Sequence, residues 1–263
     1  MSPLWSGLAV TLGCFVLLWL ASLLRRDASL VDRWWGTGFL VLALWYAGSR
    51  DAPLPLASWL LLLLVGVWGL RLSIHLTLRN WGRGEDYRYR AMRDRHGASF
   101  PVISLGTVFL LQGILTWVIG MPLYAGISTP AEDALPTWLT WAGLFVWLAG
   151  FAFEVTADLQ LAAHLGNPDR RGTVLRTGVW RFSRHPNYFG DALLWWGHWL
   201  VAASAGGAWT AFAPALMTFL LMRVSGVTLL ERKLVESRPG YRDYVAETPA
   251  FFPWVPRRPR AES

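Results

Sequence analysis

The sequence predicts an all-α membrane protein with seven transmembrane helices, N-terminus outside and C-terminus cytoplasmic. Its 263 residues are 54% hydrophobic and only 16% charged, whereas charged residues make up about 25% of an ordinary soluble domain. Several apolar runs are long enough to cross the ~30 Å hydrocarbon core of a bilayer as helices. The alternating strand pattern of an outer-membrane barrel is absent from the sequence.

Seven segments have the length and apolarity of spans, and we assign them to one polytopic domain over residues 1–263. They are residues 3–24, 34–50, 56–78, 102–127, 136–162, 188–206 and 209–230. The first is not preceded by a basic segment and is long enough to span, so we interpret it as a helix and not as a signal peptide. The single cysteine, Cys14, lies inside it, so no disulfide framework is expected.

Arginines are concentrated in alternate loops, which predicts the orientation. The loops after the first, third and fifth spans are basic, whereas the only basic residue at the other loops is Arg50, beside the acidic residues Asp51, Glu132 and Asp133. By the positive-inside rule the basic loops are cytoplasmic. An alternative to a functional role is that these basic residues only set the topology and contact anionic lipid. Nucleic acid is not expected as a partner, because the basic residues sit in short loops between spans.

Ionisable residues lie inside or at the ends of the predicted spans, where charge is costly and usually functional. They are Arg71, His75, Glu154, Asp158, Asp191, His198, Arg223 and Glu231. Two interpretations remain open: an internal salt-bridge network, or a polar cavity open to the cytoplasm that suits a nucleotide cofactor. The histidines are not set at metal-ligand spacing and no H-E-x-x-H occurs, so no metal site is predicted.

The stretch W-R-F-S-R-H-P-N-Y-F-G-D, residues 180–191, opens the sixth span with dense hydrogen-bonding chemistry. Pro186 fits the first turn of a helix, and Ser183 or Asn187 is suited to cap it. Arg184 beside the free N–H groups of that turn predicts an anion site, and Gly190 allows close approach of a ligand or backbone. The alternative is a plain helix start with a snorkelling arginine.

This stretch, followed by L-L-W-W-G, resembles the C-terminal signature of the steroid 5-alpha-reductase family, in particular its bacterial relatives. Three further segments agree: S-L-V-D-R-W-W-G at 29–36, F-E-V-T-A-D-L-Q at 153–160, and R-P-G-Y-R-D-Y with F-F-P-W near the C-terminus. The resemblance covers residues 29–256 and is specific from residue 150 onward. It implies that the C-terminal half, about 150–256, carries most of a cofactor site.

The resemblance, together with the buried charges, implies an NADPH-dependent membrane reductase whose cofactor site faces the cytoplasm. Arginines would neutralise phosphates, with Arg79, Arg83, Arg170 and Arg171 as candidates for the 2′-phosphate, while carboxylates and the asparagine would hold ribose and amide groups. The expected cofactor-binding residues are Arg71, His75, Arg79, Glu154, Asp158, Arg171, Arg184, His185, Asn187, Tyr188, Asp191, Arg223 and Glu231.

The expected reaction is hydride transfer to a C=C conjugated to a carbonyl in a lipophilic, steroid-like or isoprenoid substrate that enters from membrane lipid. No obligate protein partner is evident. Asp32 is the candidate catalytic acid, since desolvation beside Trp34 and Trp35 raises a carboxyl pKa, although Arg33 opposes this. The alternative for Asp32 is a helix-start carboxylate favoured by the helix dipole.

Two other functions remain open. The architecture and the motif R-H-P-x-Y-x-G are similar to those of isoprenylcysteine carboxyl methyltransferases, which use S-adenosylmethionine. Asn187 and Asp191 match the reductase pattern better. The second alternative hypothesis is a non-enzymatic lipid-binding or scaffold protein in which the buried charges are only structural.

Overall fold

The computed structural model describes residues 2–128, 137–224, 231 and 234–256. These residues are mostly helical, and none of them lies in a β-strand. The helices are α1 (Pro3–Arg25), α2 (Leu30–Gly48), α3 (Leu56–Asn80), α4 (Tyr87–His96), α5 (Phe100–Ser104), α6 (Leu111–Ile119), α7 (Met121–Ser128), α8 (Trp138–Gly166), α9 (Pro186–Ala203), α10 (Phe212–Phe219) and α11 (Tyr241–Glu247). A π-helical segment, Leu105–Leu110, joins α5 to α6, and another, Leu220–Val224, follows α10.

Every predicted span contains a helix, and the all-helical class is confirmed for the described residues. Five helical stretches there are long and apolar enough to cross a membrane: Pro3–Arg25, Leu56–Asn80, Tyr87–Ile119, Trp138–Gly166 and Gly207–Val224. Helices α2 and α9 are outside this set; α2 carries Asp32 in its first turn, and α9 carries Asp191 beyond its first turn. Seven spans and the orientation therefore stay predictions, and residues 225–230 of the last predicted span lie outside the described residues.

Apolar side chains on the surface support the membrane assignment. On α3 the exposed residues form a stripe at helical spacing: Trp59, Leu63, Val67, Leu70, Ile74 and Leu78. On α8, Trp141, Phe145 and Leu148 repeat the pattern. A soluble protein rarely leaves such stripes in water, because each exposed apolar side chain forgoes about 1.5–3 kcal/mol of burial. Lipid is the environment that these helices suit.

The chain forms two compact units. The first comprises Met1–Thr140 with His198–Ala213, and the second comprises Trp141–Gly197 with Pro214–Ser263. In the first unit, α2 and α3 pack so closely that a Cβ atom on Gly36 would lie 2.4 Å from the carbonyl oxygen of Gly69. The Thr37 hydroxyl lies 2.8 Å from the Ser73 hydroxyl and donates to it across the same interface. Small residues thus allow this pair of helices to share backbone contact.

The second unit is built around an equally close pair, α8 and α9. A Cβ atom on Gly190 would lie 2.5 Å from the backbone nitrogen of Glu154, and one on Gly150 would lie 2.5 Å from that of Leu194. One turn further along α9, Gly197 packs in the same way against Trp147. Only hydrogen fits at these positions, so the glycines fix the register in which α8 and α9 face each other.

Candidate functional site

The α8–α9 contact gathers four polar side chains that we name the carboxylate cluster: Glu154, Asp158, Asn187 and Asp191. Glu154 and Asp158 lie one turn apart on α8, and Asn187 and Asp191 lie one turn apart on α9. The three carboxylates are buried and the amide is half-buried. The Asn187 Nδ2 donates to Asp158 Oδ1 at 3.2 Å. The two predicted i, i+4 pairs therefore lie on helices in close contact, and this hydrogen bond joins one member of each pair.

The start of α9 is organised as the sequence predicts. The helix begins at Pro186. The Ser183 hydroxyl accepts from the backbone N–H of His185 at 3.1 Å, and the Asn187 side-chain oxygen accepts from the N–H of Tyr188 at 3.1 Å. Both expected capping side chains thus satisfy donors at this helix end, whose N–H groups have no partner within the helix.

Arg184, just before α9, is held by a set of contacts that we name the tail clamp. Its Nε and Nη2 donate to the two carboxylate oxygens of Glu231, at 2.6 and 3.0 Å. Its Nη1 donates to the carbonyl oxygens of Val245, at 2.9 Å, and Thr248. The His185 Nε2 lies 3.1 Å from Glu231 Oε1. The anion beside Arg184 and His185 is therefore the chain's own carboxylate.

The electrostatics of the tail clamp favour the ionised carboxylate. Partial burial opposes ionisation of Glu231, but the hydrogen bonds from His185 and Arg184 outweigh it and hold its pKa below the ordinary value. A bidentate pair between guanidinium and carboxylate also fixes the orientation of both groups. Arg184, predicted to bind phosphate, is thus committed to Glu231 and two carbonyls in this structure; its role towards a cofactor stays a prediction.

The remaining expected cofactor residues of the second unit lie at its surface or along α9. The Tyr188 ring is parallel to the His185 imidazole, with a centroid distance of 5.6 Å and an interplanar angle of 5°. Arg171 is exposed in the loop after the short helical turn Pro168–Arg170, and Arg223 is exposed at the end of the π segment. Both side chains are therefore at the surface of the second unit.

Asp32, the candidate acid, lies in the first unit at the start of α2. Its Oδ1 accepts from the Tyr89 hydroxyl and its Oδ2 from the Arg88 guanidinium, both at 2.7 Å. Burial raises the pKa of Asp32, while Arg88 and Tyr89 act against that rise. The direction agrees with the desolvation expected from the sequence. The partners were not predicted, because α4 lies more than fifty residues away along the chain.

Three other predicted cofactor residues also belong to the first unit. Arg71 and His75 are half-buried and one turn apart on α3, and Arg79 is exposed in the last turn of that helix. Their shared face is as predicted from the i, i+4 spacing. Their role towards a cofactor stays a prediction.

The residues that shape the loop before α9 were not predicted from the sequence. The Tyr244 hydroxyl contacts the carbonyl oxygens of Trp180 and, at 3.2 Å, Ser183. The Trp180 indole N–H donates to the Ala157 carbonyl at 3.0 Å, and Gln160 accepts from the Val179 N–H at 3.1 Å. The tyrosines of R-P-G-Y-R-D-Y were the available signal, since buried tyrosines usually bring a hydrogen-bonding partner.

Among the described residues, no group of three or more potential ligands is arranged to hold a metal ion.

Comparison with known proteins places the chain in a family. The model of the family described as "Protein of unknown function (DUF1295)" matches residues 18–248. The chain belongs to this family. It is a family that includes steroid 5-alpha-reductase-like proteins, so the resemblance is confirmed at this wider level. An uncharacterized protein of Schizosaccharomyces pombe is 28% identical over 281 residues, which cover 96% of this chain and 80% of that protein.

No solved structure matches the chain with statistical significance. The region matched by the DUF1295 model contains both helix-start motifs and every predicted site residue, from Asp32 to Glu231. Membership of the DUF1295 family does not by itself indicate an activity.

Proposed function

We propose that the protein is an NADPH-dependent membrane reductase that reduces a C=C conjugated to a carbonyl in a lipophilic substrate. The observation that carries the proposal is the carboxylate cluster, in which α8 and α9 hold three buried carboxylates and a half-buried amide beside a glycine contact. Family membership supports it, because DUF1295 includes steroid 5-alpha-reductase-like proteins.

Carboxylates enclosed in an apolar bundle suit ligand groups that donate hydrogen bonds, because contacts with a charged group are strong there. Hydroxyl and amide groups of a ligand are such donors. The ribose hydroxyls and the carboxamide of a nicotinamide nucleotide have this chemistry. Glu154, Asp158, Asn187 and Asp191 would hold them.

Phosphate groups of the same cofactor need exposed cations. Arg184 is engaged by Glu231 and two backbone carbonyls, so it fits a role in holding the start of α9 in place. Arg171 and Arg223 are exposed in the same unit and would take the phosphates, because guanidinium binds phosphate oxygens in a bidentate manner. The residues present therefore fit the nucleotide, with phosphate contacts at the surface.

A dihydronicotinamide held there would supply a hydride to the C=C carbon remote from the carbonyl, and a proton would complete the saturated carbonyl product. The protein's part is to orient the ring, exclude water and polarise the carbonyl. Asp32 keeps its predicted role as the polarising acid in this proposal.

The proposal includes seven spans with a cytoplasmic C-terminus, which follows from the arginine bias of the loops. Reporter fusions at Ser128 and Gly166 are expected on opposite sides, with Gly166 cytoplasmic. Both reporters on one side would contradict the span count.

Nucleotide binding to the purified protein tests the function. In mild detergent we expect NADPH to bind with a dissociation constant of about 1 μM or lower, near −8 kcal/mol. Asp191→Ala and Asn187→Ala should each weaken binding by about 1–3 kcal/mol, since each removes a buried polar partner. Asp169→Ala, which removes an exposed carboxylate of the same unit, is the matched control and should leave affinity unchanged.

Each other result points to a different class of protein. Binding of S-adenosylmethionine without NADPH would overturn the reductase and favour the methyltransferase. Binding of neither nucleotide would favour a lipid-binding or scaffold protein whose buried charges are structural.

A further inference from the structure

Aromatic and apolar side chains project from the surface near the C-terminus of the second unit. Phe252, Trp254 and Val255 are 62%, 73% and 69% exposed. Phe182, in the loop before α9, is also exposed, and the Arg181 guanidinium lies 6.0 Å from its ring centroid. We name these five residues the tail patch.

The tail patch is held in place by hydrogen bonds to the loop before α9. The Trp254 N–H donates to the Phe182 carbonyl at 2.9 Å, and the Ser183 hydroxyl donates to the Phe251 carbonyl at 2.8 Å. The Arg184 N–H donates to the Pro249 carbonyl at 2.9 Å. Because the backbone is already ordered, a partner that covers the exposed rings meets little further loss of conformational entropy.

The patch is continuous with aromatic side chains of the α8–α9 pair. Phe252 contacts the Phe189 ring in the first turn of α9, with centroids 6.2 Å apart, and Phe189 contacts Phe153 on α8 at 5.5 Å. Helix α8 is apolar enough to span a membrane. Phe189 lies at the start of the predicted span 188–206, so the patch lies at one end of that span, where tryptophan and other aromatic rings settle among lipid headgroups.

Basic residues lie within the tail patch and follow it in the sequence. Arg181 is exposed within the patch, and the sequence continues directly after Pro256 with R-R-P-R, residues 257–260. Basic residues beside exposed aromatic rings are attracted to the anionic headgroups of the cytoplasmic leaflet. We propose that the tail patch docks on the surface of an anionic bilayer and anchors the C-terminal segment there.

Spin labelling of the full chain in nanodiscs tests this anchor. The native cysteine is removed by Cys14→Ala, and a nitroxide is attached through Val255→Cys. The matched control is Thr177→Cys, an exposed position in a loop of the same unit. Discs contain one copy of the protein, in phosphatidylcholine alone or with about one-third phosphatidylglycerol. Collisions with oxygen, which concentrates in lipid, are compared with collisions with a water-soluble nickel chelate.

In the anionic discs we expect the label at 255 to collide with the nickel chelate at least ~3-fold less than the label at 177, and more with oxygen. Replacing Arg181, Arg257, Arg258 and Arg260 by glutamine should remove the difference between the two lipid compositions. Phe252→Ser with Trp254→Ser should raise nickel accessibility towards that of position 177. Size-exclusion profiles and helical circular dichroism check that each variant is folded.

Three results would overturn the proposal. Equal nickel accessibility at 255 and 177 in anionic discs would show that water covers the patch. Protection that is the same in both lipid compositions would exclude recognition of anionic lipid. Protection that appears only in discs with two protein copies would assign the patch to a second copy of this chain.

Discussion

The starts of α2 and α9 use similar residues in different environments. At α2 the ion pair between Asp32 and Arg88 is partly open to water, with side-chain exposures of 24% and 42%. At α9 the pair between Arg184 and Glu231 is 8% and 18% exposed, and two backbone carbonyls use further donors of the arginine. One helix start is fastened by a half-exposed pair and the other by an enclosed one.

This difference distinguishes side chains that hold a helix start in place from side chains that can bind a ligand. An exposed pair contributes ~0–1 kcal/mol and breaks at little cost, whereas a buried cation that loses its partner is strongly destabilising. Arg184 is therefore committed to the C-terminal segment. Further along α9, Asn187 donates to Asp158 on α8 instead, and Asn187 and Asp191 are the side chains that we assign to a ligand.

The largest effect is expected from breaking the tail clamp. Glu231→Ala leaves the Arg184 charge enclosed, so the free energy of unfolding should fall by ~3–5 kcal/mol. Asp32→Ala should cost only ~1–2 kcal/mol, since Arg88 still reaches water and Asp86. Denaturation in detergent, followed by circular dichroism, measures both. Equal losses would mean that the two helix starts are fastened alike.

Turnover distinguishes a fastening from a catalytic role for Asp32. If Asp32 polarises the substrate carbonyl, Asp32→Ala should lower turnover by ~100-fold, the usual loss for a general acid, while NADPH affinity stays unchanged. Oxidation of NADPH with a lipophilic enone that the wild type reduces is the measurement, and Asp32→Asn, which keeps a donor, should retain more activity. Full activity of the alanine variant would leave Asp32 as a helix anchor for α4, and loss of NADPH binding would place it in the nucleotide site.

The glycine contact between α8 and α9 should matter for binding as well as stability. In Gly190→Ala the added methyl group meets backbone atoms of Glu154 and Gly150, so the helices must separate at a cost of ~1–3 kcal/mol, and NADPH binding should weaken. Gly7→Ala, whose methyl group meets the buried Tyr46 ring, should destabilise the first unit without affecting NADPH. At Gly13 nothing lies within 4 Å, so Gly13→Ala should be harmless. Unchanged NADPH affinity in Gly190→Ala would show that the glycine contact between α8 and α9 does not shape the binding site.

The smallest effect is expected from pH. The pKa of Glu231 is lowered from 4.5, as burial is outweighed by His185 and Arg184, so the stability that this carboxylate contributes is complete above pH 4.5 and is lost as pH falls through the folded-state pKa. Asp86, whose pKa is lowered from 3.8 because its contacts with Arg88 outweigh burial, should add a further loss below pH 3.8. Denaturation midpoints between pH 7 and pH 3 test this. Glu231→Gln should remove the loss of stability below pH 4.5 and leave the loss below pH 3.8. If the loss below pH 4.5 is unchanged in this variant, a group other than Glu231 causes it.

The sequence by itself determined the class of protein and the local design of α9. Apolar runs of sufficient length predicted the helices, because a span must satisfy its backbone groups internally. The caps at Ser183 and Asn187, the start at Pro186 and the close contact at Gly190 followed from residue type and spacing, since each depends on atoms within one or two turns. The i, i+4 pairs of the carboxylate cluster were predictable for the same reason.

Only the tertiary structure decided which partner each ionisable group takes. Glu231 lies 47 residues from Arg184 in the sequence, and Tyr89 lies 57 residues from Asp32. Nothing in the local pattern indicates these pairings, because an arginine beside a helix start suits a phosphate and a carboxylate equally well. The fold brings a carboxylate of this chain to Arg184, and this position, set by the packing of distant segments, makes it a clamp for the C-terminal segment.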